Sequence, residues 1–265
     1  MSLDAVVIVT GAARGIGRTM ALGLAGAGAR IAALDVAASD SAMREMIAAA
    51  VAQGLSDRIL PLRGDVTNSE ECAAAVEATA MHFGSVQCLV NNAGLGMQNI
   101  GYGSAGKKFF EVDVGAWRSS FDVNVNGPFI MAKAVVPRLV AQGWGRIVNI
   151  TTSLPTMLMA NFCPYGPTKA ALEAATAIWS KDLAGTGVCV NALLPGGAVN
   201  TRMIPSNEVA DRSTLVQPEV MVAPILWLMS RDSDGVTGQR FIAKEWDTDC
   251  PADEAARKAG SPAGW

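Results

Sequence analysis

A single histidine, His82, occurs in the 265 residues of the chain. It falls on the helix ahead of the fourth predicted strand, away from every loop at the active end, so a Ser-His-Asp hydrolase has no imidazole to work with. It reads as a surface residue. Cysteine is also scarce: Cys72, Cys88, Cys163, Cys189 and Cys250 have no close neighbour in sequence. That spacing fits neither a disulfide framework nor a zinc site, so no metal is expected and a reducing compartment is. The formal charge of -3 has no basic cluster behind it, which removes the electrostatic footprint for nucleic acid or an anionic membrane surface. No apolar run approaches the roughly 20 residues of a membrane span, and no basic leader or cleavage signal precedes the first strand. The expectation is a soluble cytoplasmic protein without nucleic-acid or membrane partners.

What the chain does have is apolar surface to bury. Half of its residues are hydrophobic, enough for the full core of one α/β domain. Short β-branched runs at 5–10, 31–35, 59–62, 86–90, 146–150, 188–194 and 240–243 predict seven buried strands. Alanine-rich segments with helical spacing lie between most of them, near 15–27, 41–53, 69–83, 114–142, 164–184 and 218–230. Alternation of this kind means parallel strands joined by right-handed crossovers. The expected fold is a single-domain, Rossmann-like, doubly wound α/β structure with a seven-stranded, mainly parallel sheet and helices on both faces. The catalytic domain is expected over 1–246. The polar stretch 247–265 reads as a loose tail or an inter-subunit arm. A glycine-rich loop with two lysines, 95–108, follows the fourth strand and has no evident role.

A doubly wound sheet binds ligands beyond the carboxyl ends of its strands. After the first strand come Thr10-Gly11-Ala12-Ala13-Arg14-Gly15-Ile16-Gly17 and then a helical pattern. Glycines there let the backbone turn tightly and approach a pyrophosphate, which the helix N-terminus then meets. Asp35, about 20 residues on at the end of the second strand, is suited to accept from adenosine ribose hydroxyls. The same carboxylate repels a 2'-phosphate, so NAD is favoured over NADP; Arg14 keeps NADP open as the second reading. Asp65 and Val66 are candidates for the adenine edge, and Asn92, Ala93 and Gly94 for close backbone passage by the ribose. Tyr165 and Lys169, spaced i, i+4 on one helix, put a phenol beside an ammonium. The cation and a bound nicotinamide are both expected to draw the phenol's pKa down from about 10 toward the working range of a base.

In this order, with Asn124, Thr152 and Pro195-Gly196 between and after them, these motifs resemble the short-chain dehydrogenase/reductase family over 6–243. The resemblance implies an NAD(P)-linked hydride transfer, a small-molecule alcohol or carbonyl substrate, and a homo-oligomer, tetramer or dimer, built through the long helices near 114–142 and 164–184. It implies Tyr165 as acid/base, Lys169 as pKa tuner and ribose ligand, and Asn124 as holder of a relay water. Pro195, Val199 and Thr201 fall in the segment that holds the nicotinamide carboxamide, and 202–217 in a substrate lid. Where the family commonly has serine this chain has Thr152, which is taken as the polarising hydroxyl, with Ser153 as fallback. Both are equally suited to cap a strand end. Residues 241–247 also depart from the family's usual V-D-G-G ending. Met157, Leu158, Met159, Phe162, Met203 and Ile204 suggest a bulky hydrophobic secondary alcohol or ketone, or else core or interface packing. The alternatives kept open are an NADP-linked carbonyl or 3-oxoacyl reductase, a non-redox or epimerising activity, and a dinucleotide-binding sensor or scaffold without turnover.

Overall fold

A five-residue run with no polar side, such as that at 6–10, is stable as a strand only when both of its faces are covered. The computed structural model, which describes residues 3–103, 106–204 and 209–264, builds on that requirement. In chain order it contains β1 (Val6–Thr10), α1 (Gly15–Gly26), β2 (Arg30–Asp35), α2 (Asp40–Ala52), β3 (Ile59–Arg63), α3 (Ser69–Phe83), β4 (Cys88–Asn91), α4 (Val114–Phe121), α5 (Gly127–Ala141), β5 (Gly145–Ile150), α6 (Leu154–Met157), α7 (Tyr165–Asp182), β6 (Val188–Leu194), α8 (Val222–Leu228), β7 (Gln239–Ile242), α9 (Ala252–Ala259) and β8 (Gly260–Pro262). Val7 and Val9 of β1 join one apolar layer, with Met20 and Leu24 of α1, Met46 of α2 and Ile225 of α8. Ile8 joins the other, with Val76 of α3 and Met131, Val135 and Leu139 of α5. Strand periodicity thus divides the side chains between two cores, each buried Val, Leu or Ile contributing on the order of 1.5–3 kcal/mol.

The sheet order is β3-β2-β1-β4-β5-β6-β7-β8. Its first seven strands are parallel, and β8 runs antiparallel to β7 with Arg240 opposite Ser261. Eight strands therefore replace the expected seven. Of the stretch at 247–265, residues 247–264 are not a loose tail: α9 buries Ala255, Ala256 and Ala259 against the first core, and β8 closes the sheet edge. Gly260-Ser261-Pro262 has no β-branched or apolar residue, so nothing local announces this strand. Trp265 of that stretch, Ser104 and Ala105 of the 95–108 loop, and 205–208 of the expected lid lie outside the described residues.

The helix expected across 114–142 is interrupted. A single wider, π-type turn at Asp122–Asn126 separates α4 from α5, whose start carries Gly127 and Pro128. Proline lacks the amide that would continue regular pairing, and such bulges often accompany functional sites. Among the described residues, no helix is long and apolar enough to cross a membrane, and no three His, Cys, Asp or Glu side chains gather to hold a metal. Between β1 and β4 the chain departs in opposite directions, opening the crevice beyond their carboxyl ends.

Candidate active site

The glycine turn leaves β1 with Gly11 at φ +63 and Gly15 at φ +55, backbone that side chains other than glycine strain to adopt. A Cβ on Gly17 would lie 2.2 Å from the Gly11 carbonyl oxygen, so only glycine permits this helix-to-strand approach. Thr10 Oγ1 accepts from the amides of Asn92 and Ala93, both at 3.0 Å, and Asn92 Nδ2 donates to the carbonyls of Thr10 and Gly11 at 2.9 and 3.1 Å. These bonds pin the loop after β4 to the turn after β1. Arg14, in extended backbone, begins α1 with no side-chain cap, and the first turn holds no acidic residue. The leading amides are left for an outside acceptor, which suits a pyrophosphate.

Asp35 ends β2 with Oδ2 accepting from Ala13 N and Oδ1 from Val36 N, both at 2.9 Å. It braces the glycine turn while facing the cleft. That cleft encloses about 1270 Å3. All the predicted cofactor residues, from Gly11 to Thr201, line it, as do Thr152, Tyr165 and Lys169; Asn124 does not. Arg18 and Glu45, absent from the sequence reading, also line it and face each other at 3.9 Å. Arg18 stands one helical turn beyond Arg14, a spacing that was available as a signal.

Tyr165 opens α7, and Lys169 follows one turn later, buried, with Nζ donating 2.8 Å to the carbonyl of Ile150 and lying 5.8 Å from the Tyr165 ring centroid. The two sides of the pair are shifted in opposite senses. Burial pushes the Tyr165 phenol up to about 12, opposed by the Thr152 hydroxyl, and draws the Lys169 ammonium down to about 8. The protein alone therefore does not lower the phenol as the i, i+4 spacing predicts: desolvation outweighs a cation that is itself buried and bound to a carbonyl. Ser153 is occupied elsewhere. Its hydroxyl is 2.9 Å from that of Thr156 and accepts from Thr156 N at 3.4 Å, capping α6. Asn124, fully buried on the π-type turn, donates through Nδ2 to Leu95 O and Thr168 Oγ1, both at 3.0 Å, and accepts from Leu95 N at 2.7 Å. Its side chain holds that loop against α7.

Of the six expected substrate-side residues, Met159, Phe162, Met203 and Ile204 line the cleft. Met157 is buried in the protein, and Leu158 is 74% exposed. The single turn of α6 explains the split, since Met157 closes it directly beneath Gly166, where a Cβ would lie 2.4 Å from the Met157 carbonyl oxygen. The 95–108 loop, whose role the sequence leaves blank, supplies a wall through Met97 and Tyr102. Tyr102 Oη accepts from Asp113 N at 2.7 Å and Lys107 N donates to Asn161 O at 3.0 Å, tying the loop to α4 and to the segment before Tyr165. On the other rim, Arg212 spends its guanidinium on Asn200 Oδ1 and the carbonyls of Thr201 and Ile204 at 2.7, 2.7 and 3.0 Å.

Comparison with known proteins agrees with this arrangement. A family model described as short chain dehydrogenase matches residues 5–211. The chain is similar to a fluoren-9-ol dehydrogenase from Terrabacter sp., at 29% identity over 261 residues, covering 92% of this chain and 72% of the relative. It is also similar to a 3-oxoacyl-[acyl-carrier-protein] reductase from Synechocystis sp., at 30% identity over 242 residues, covering 89% and 94% of the two chains. Among solved structures, carveol dehydrogenase from Mycobacterium avium in complex with NAD superposes with a TM-score of 0.77 at 25% identity, covering 89% of this chain and 94% of that one.

Proposed function

The chain belongs to the short-chain dehydrogenase family of NAD(P)-dependent oxidoreductases, and from that premise we propose that it transfers a hydride between NAD(H) and a bulky, hydrophobic secondary alcohol or ketone. The observation that carries the reading is a single cleft with a glycine turn and Asp35 in one part of its wall and Thr152, Tyr165 and Lys169 in another. The open amides of α1 would hold the pyrophosphate, Asp35 the adenosine ribose, and Lys169 the nicotinamide ribose. Val199 and Thr201 would hold the carboxamide, kept in place by Arg212. When bound, the nicotinamide ring supplies the hydride acceptor or donor. Tyr165 takes the hydroxyl proton of an alcohol or returns it to a ketone, while Thr152 donates to the same substrate oxygen. Asn124 supports them by fixing the loop at Leu95.

Asp35 favours NAD, because both its oxygens are held in place by backbone amides and face any 2'-phosphate with negative charge. Arg14 and Arg18 favour the second reading, an NADP-linked carbonyl or 3-oxoacyl reductase, and Glu45 and Asp65 offset them in the same wall. Met97, Met159, Phe162 and Met203 make the substrate wall apolar and adaptable, in keeping with a ring-bearing alcohol. A homo-oligomer belongs to the reading, supported by exposed Val114 and Trp117 on α4, Phe129 on α5 and Ile178 on α7. Five unpaired cysteines support the cytoplasm as its setting.

A panel of secondary alcohols and ketones with both cofactors, followed at the nicotinamide band, tests the proposal. Cyclic or aryl secondary alcohols are expected to turn over fastest, and with NAD rather than NADP. Turnover confined to polyols, or an NADP preference, would overturn the corresponding half. Binding with no turnover across the panel would leave a sensor.

A second test needs no substrate. Tyr102 and Tyr165 are the only tyrosines in the chain, so phenol ionisation followed by ultraviolet difference spectroscopy has two contributors, and Tyr165→Phe separates them. In the free protein Tyr165 should ionise with its midpoint pushed up to about 12, above the ordinary phenol, with the cause in its burial. Adding NAD should move that ionisation to lower pH, because the cationic ring favours phenolate. An unchanged midpoint would refute nicotinamide binding beside the phenol.

A further inference from the structure

Four turns of α7 present Lys169, Glu173, Thr176 and Ser180 to the protein interior, and Glu173 is a charged residue that the proposed chemistry does not use. Its side chain is 1% exposed. Arg240 of β7, with its side chain 14% exposed, brings Nε to 2.7 Å from Glu173 Oε1, a contact of opposite charges rather than an aligned hydrogen bond. Two further contacts connect this pair to the end of β5. Thr151 Oγ1 donates to Glu173 Oε2 at 3.3 Å, and Arg240 Nη2 donates to the carbonyl of Thr152 at 3.4 Å. The backbone of Gly264, from the segment beyond β8, also comes to the Glu173 carboxylate.

Charges buried this deeply are seldom worth their desolvation for stability alone, since apolar residues of similar volume often serve as well or better. What the pair does provide is two-sided restraint on consecutive residues, one through the Thr151 hydroxyl and one through the Thr152 carbonyl. Those residues stand where the buried strand ends and the cleft begins. Thr151 N keeps a last backbone bond, to Leu193 O at 3.0 Å, and among the described residues no such bond continues to Thr152, so the direction of the Thr152 side chain depends on what holds its peptide from behind.

We infer that Glu173 and Arg240 are positioning residues for the oxidoreductase reaction, a buried ion pair that aims the Thr152 hydroxyl at the substrate oxygen beside Tyr165 and ties the C-terminal segment to that task. The inference rests on the proposed role of Thr152. Neither residue touches substrate or cofactor; each acts through the 151–152 backbone.

The test is a cycle of variants assayed with the best substrate of the panel. Glu173→Met with Arg240→Met replaces the pair by apolar side chains of comparable length. We expect kcat to fall about 10- to 100-fold, the size of a sub-ångström to ångström misplacement, with the KM for NAD unchanged. The same pair introduced into Thr152→Val should cost nothing further, because the residue it aims is already gone. Losses that multiply in that background, or a pair variant with full kcat, overturn the inference. Should the methionine pair fail to fold, Arg240→Lys keeps a cation opposite Glu173 and removes the second arm to the Thr152 carbonyl. It should lower kcat in the parent and not in Thr152→Val, and full kcat in the parent overturns the inference equally. A fully active Thr152→Val sinks the reading of Thr152 and this inference with it. A crippled Thr152→Val beside a fully active pair variant sinks the inference alone.

Discussion

Tyr165→Phe is expected to lower kcat by about 10²- to 10⁴-fold, the range for loss of a positioned acid or base, while the KM for NAD stays near its parent value. The ring itself remains. Its edge-to-face packing on Phe162, with centroids 6.0 Å apart, needs no hydroxyl, so the thermal midpoint should hardly move. Removing the phenol leaves the alcohol proton with no acceptor at the end of the cleft. Lys169 does not take its place as an ammonium, which has three donors, one of them spent on the Ile150 carbonyl, and no lone pair to accept a proton. Steady-state kinetics together with a direct NAD titration check the outcome. Full turnover by Tyr165→Phe would place the acid/base group elsewhere and dismiss the proposed chemistry. A joint loss of turnover and NAD binding would instead mean that the ring shapes the cofactor site.

Much of the candidate site is legible in the sequence. The strand runs are nearly continuous apolar segments because both faces of a parallel sheet are covered, and six of the seven anticipated strands both start and end within a residue of those observed, with 86–90 displaced by two at its start. The glycine turn was legible because Gly17 admits no other residue. Helical spacing puts Tyr165 and Lys169 on one face, and the order of the surrounding motifs is what singles the pair out. What was not legible depended on tertiary contacts. β8 has no strand-like composition and exists because β7 offers an unpaired edge. The break at Asp122–Asn126 lies in a segment whose helical pattern continues through it. For Met157, Leu158 and Met159 the sequence leaves cleft lining and core or interface packing equally open, and one short turn decides it by burying Met157, exposing Leu158 and leaving Met159 on the cleft. The upward shift of Tyr165 went unforeseen because spacing reveals a neighbouring charge and not the desolvation of both partners. Glu173 and Arg240 are 67 residues apart by their numbers, and only the β6-β7 pairing brings them together beneath Thr152.

Thr152 and Ser153 give the second large effect, and their substitutions are expected to separate cleanly. Thr152→Val keeps the shape of the side chain and removes its hydroxyl. Loss of one donor to the developing oxyanion corresponds to about 10²- to 10³-fold in kcat, or about 3–4 kcal/mol. A second consequence follows from the same hydroxyl. In the parent, before a substrate oxygen takes up that donor, it opposes the burial that raises the Tyr165 phenol, so without it the phenol of the substrate-free enzyme ionises at still higher pH, a shift read in kcat/KM. Alcohol oxidation requires the deprotonated form, so its rate rises with pH through that ionisation. In Thr152→Val the rise should move to higher pH, and part of the lost rate should return as the medium is made more alkaline. Thr152→Ser should retain most activity and the parent pH profile. Ser153→Ala, by contrast, removes the cap of the single-turn helix α6, a loss of about 1 kcal/mol in stability, with kcat nearly intact. Measured pH–rate profiles and thermal midpoints for the three variants decide the matter. The opposite ranking, with Ser153→Ala inactive and Thr152→Val active, would mean that the backbone at the end of β5 turns by one residue when substrate and cofactor bind, and Ser153 would then be the donor.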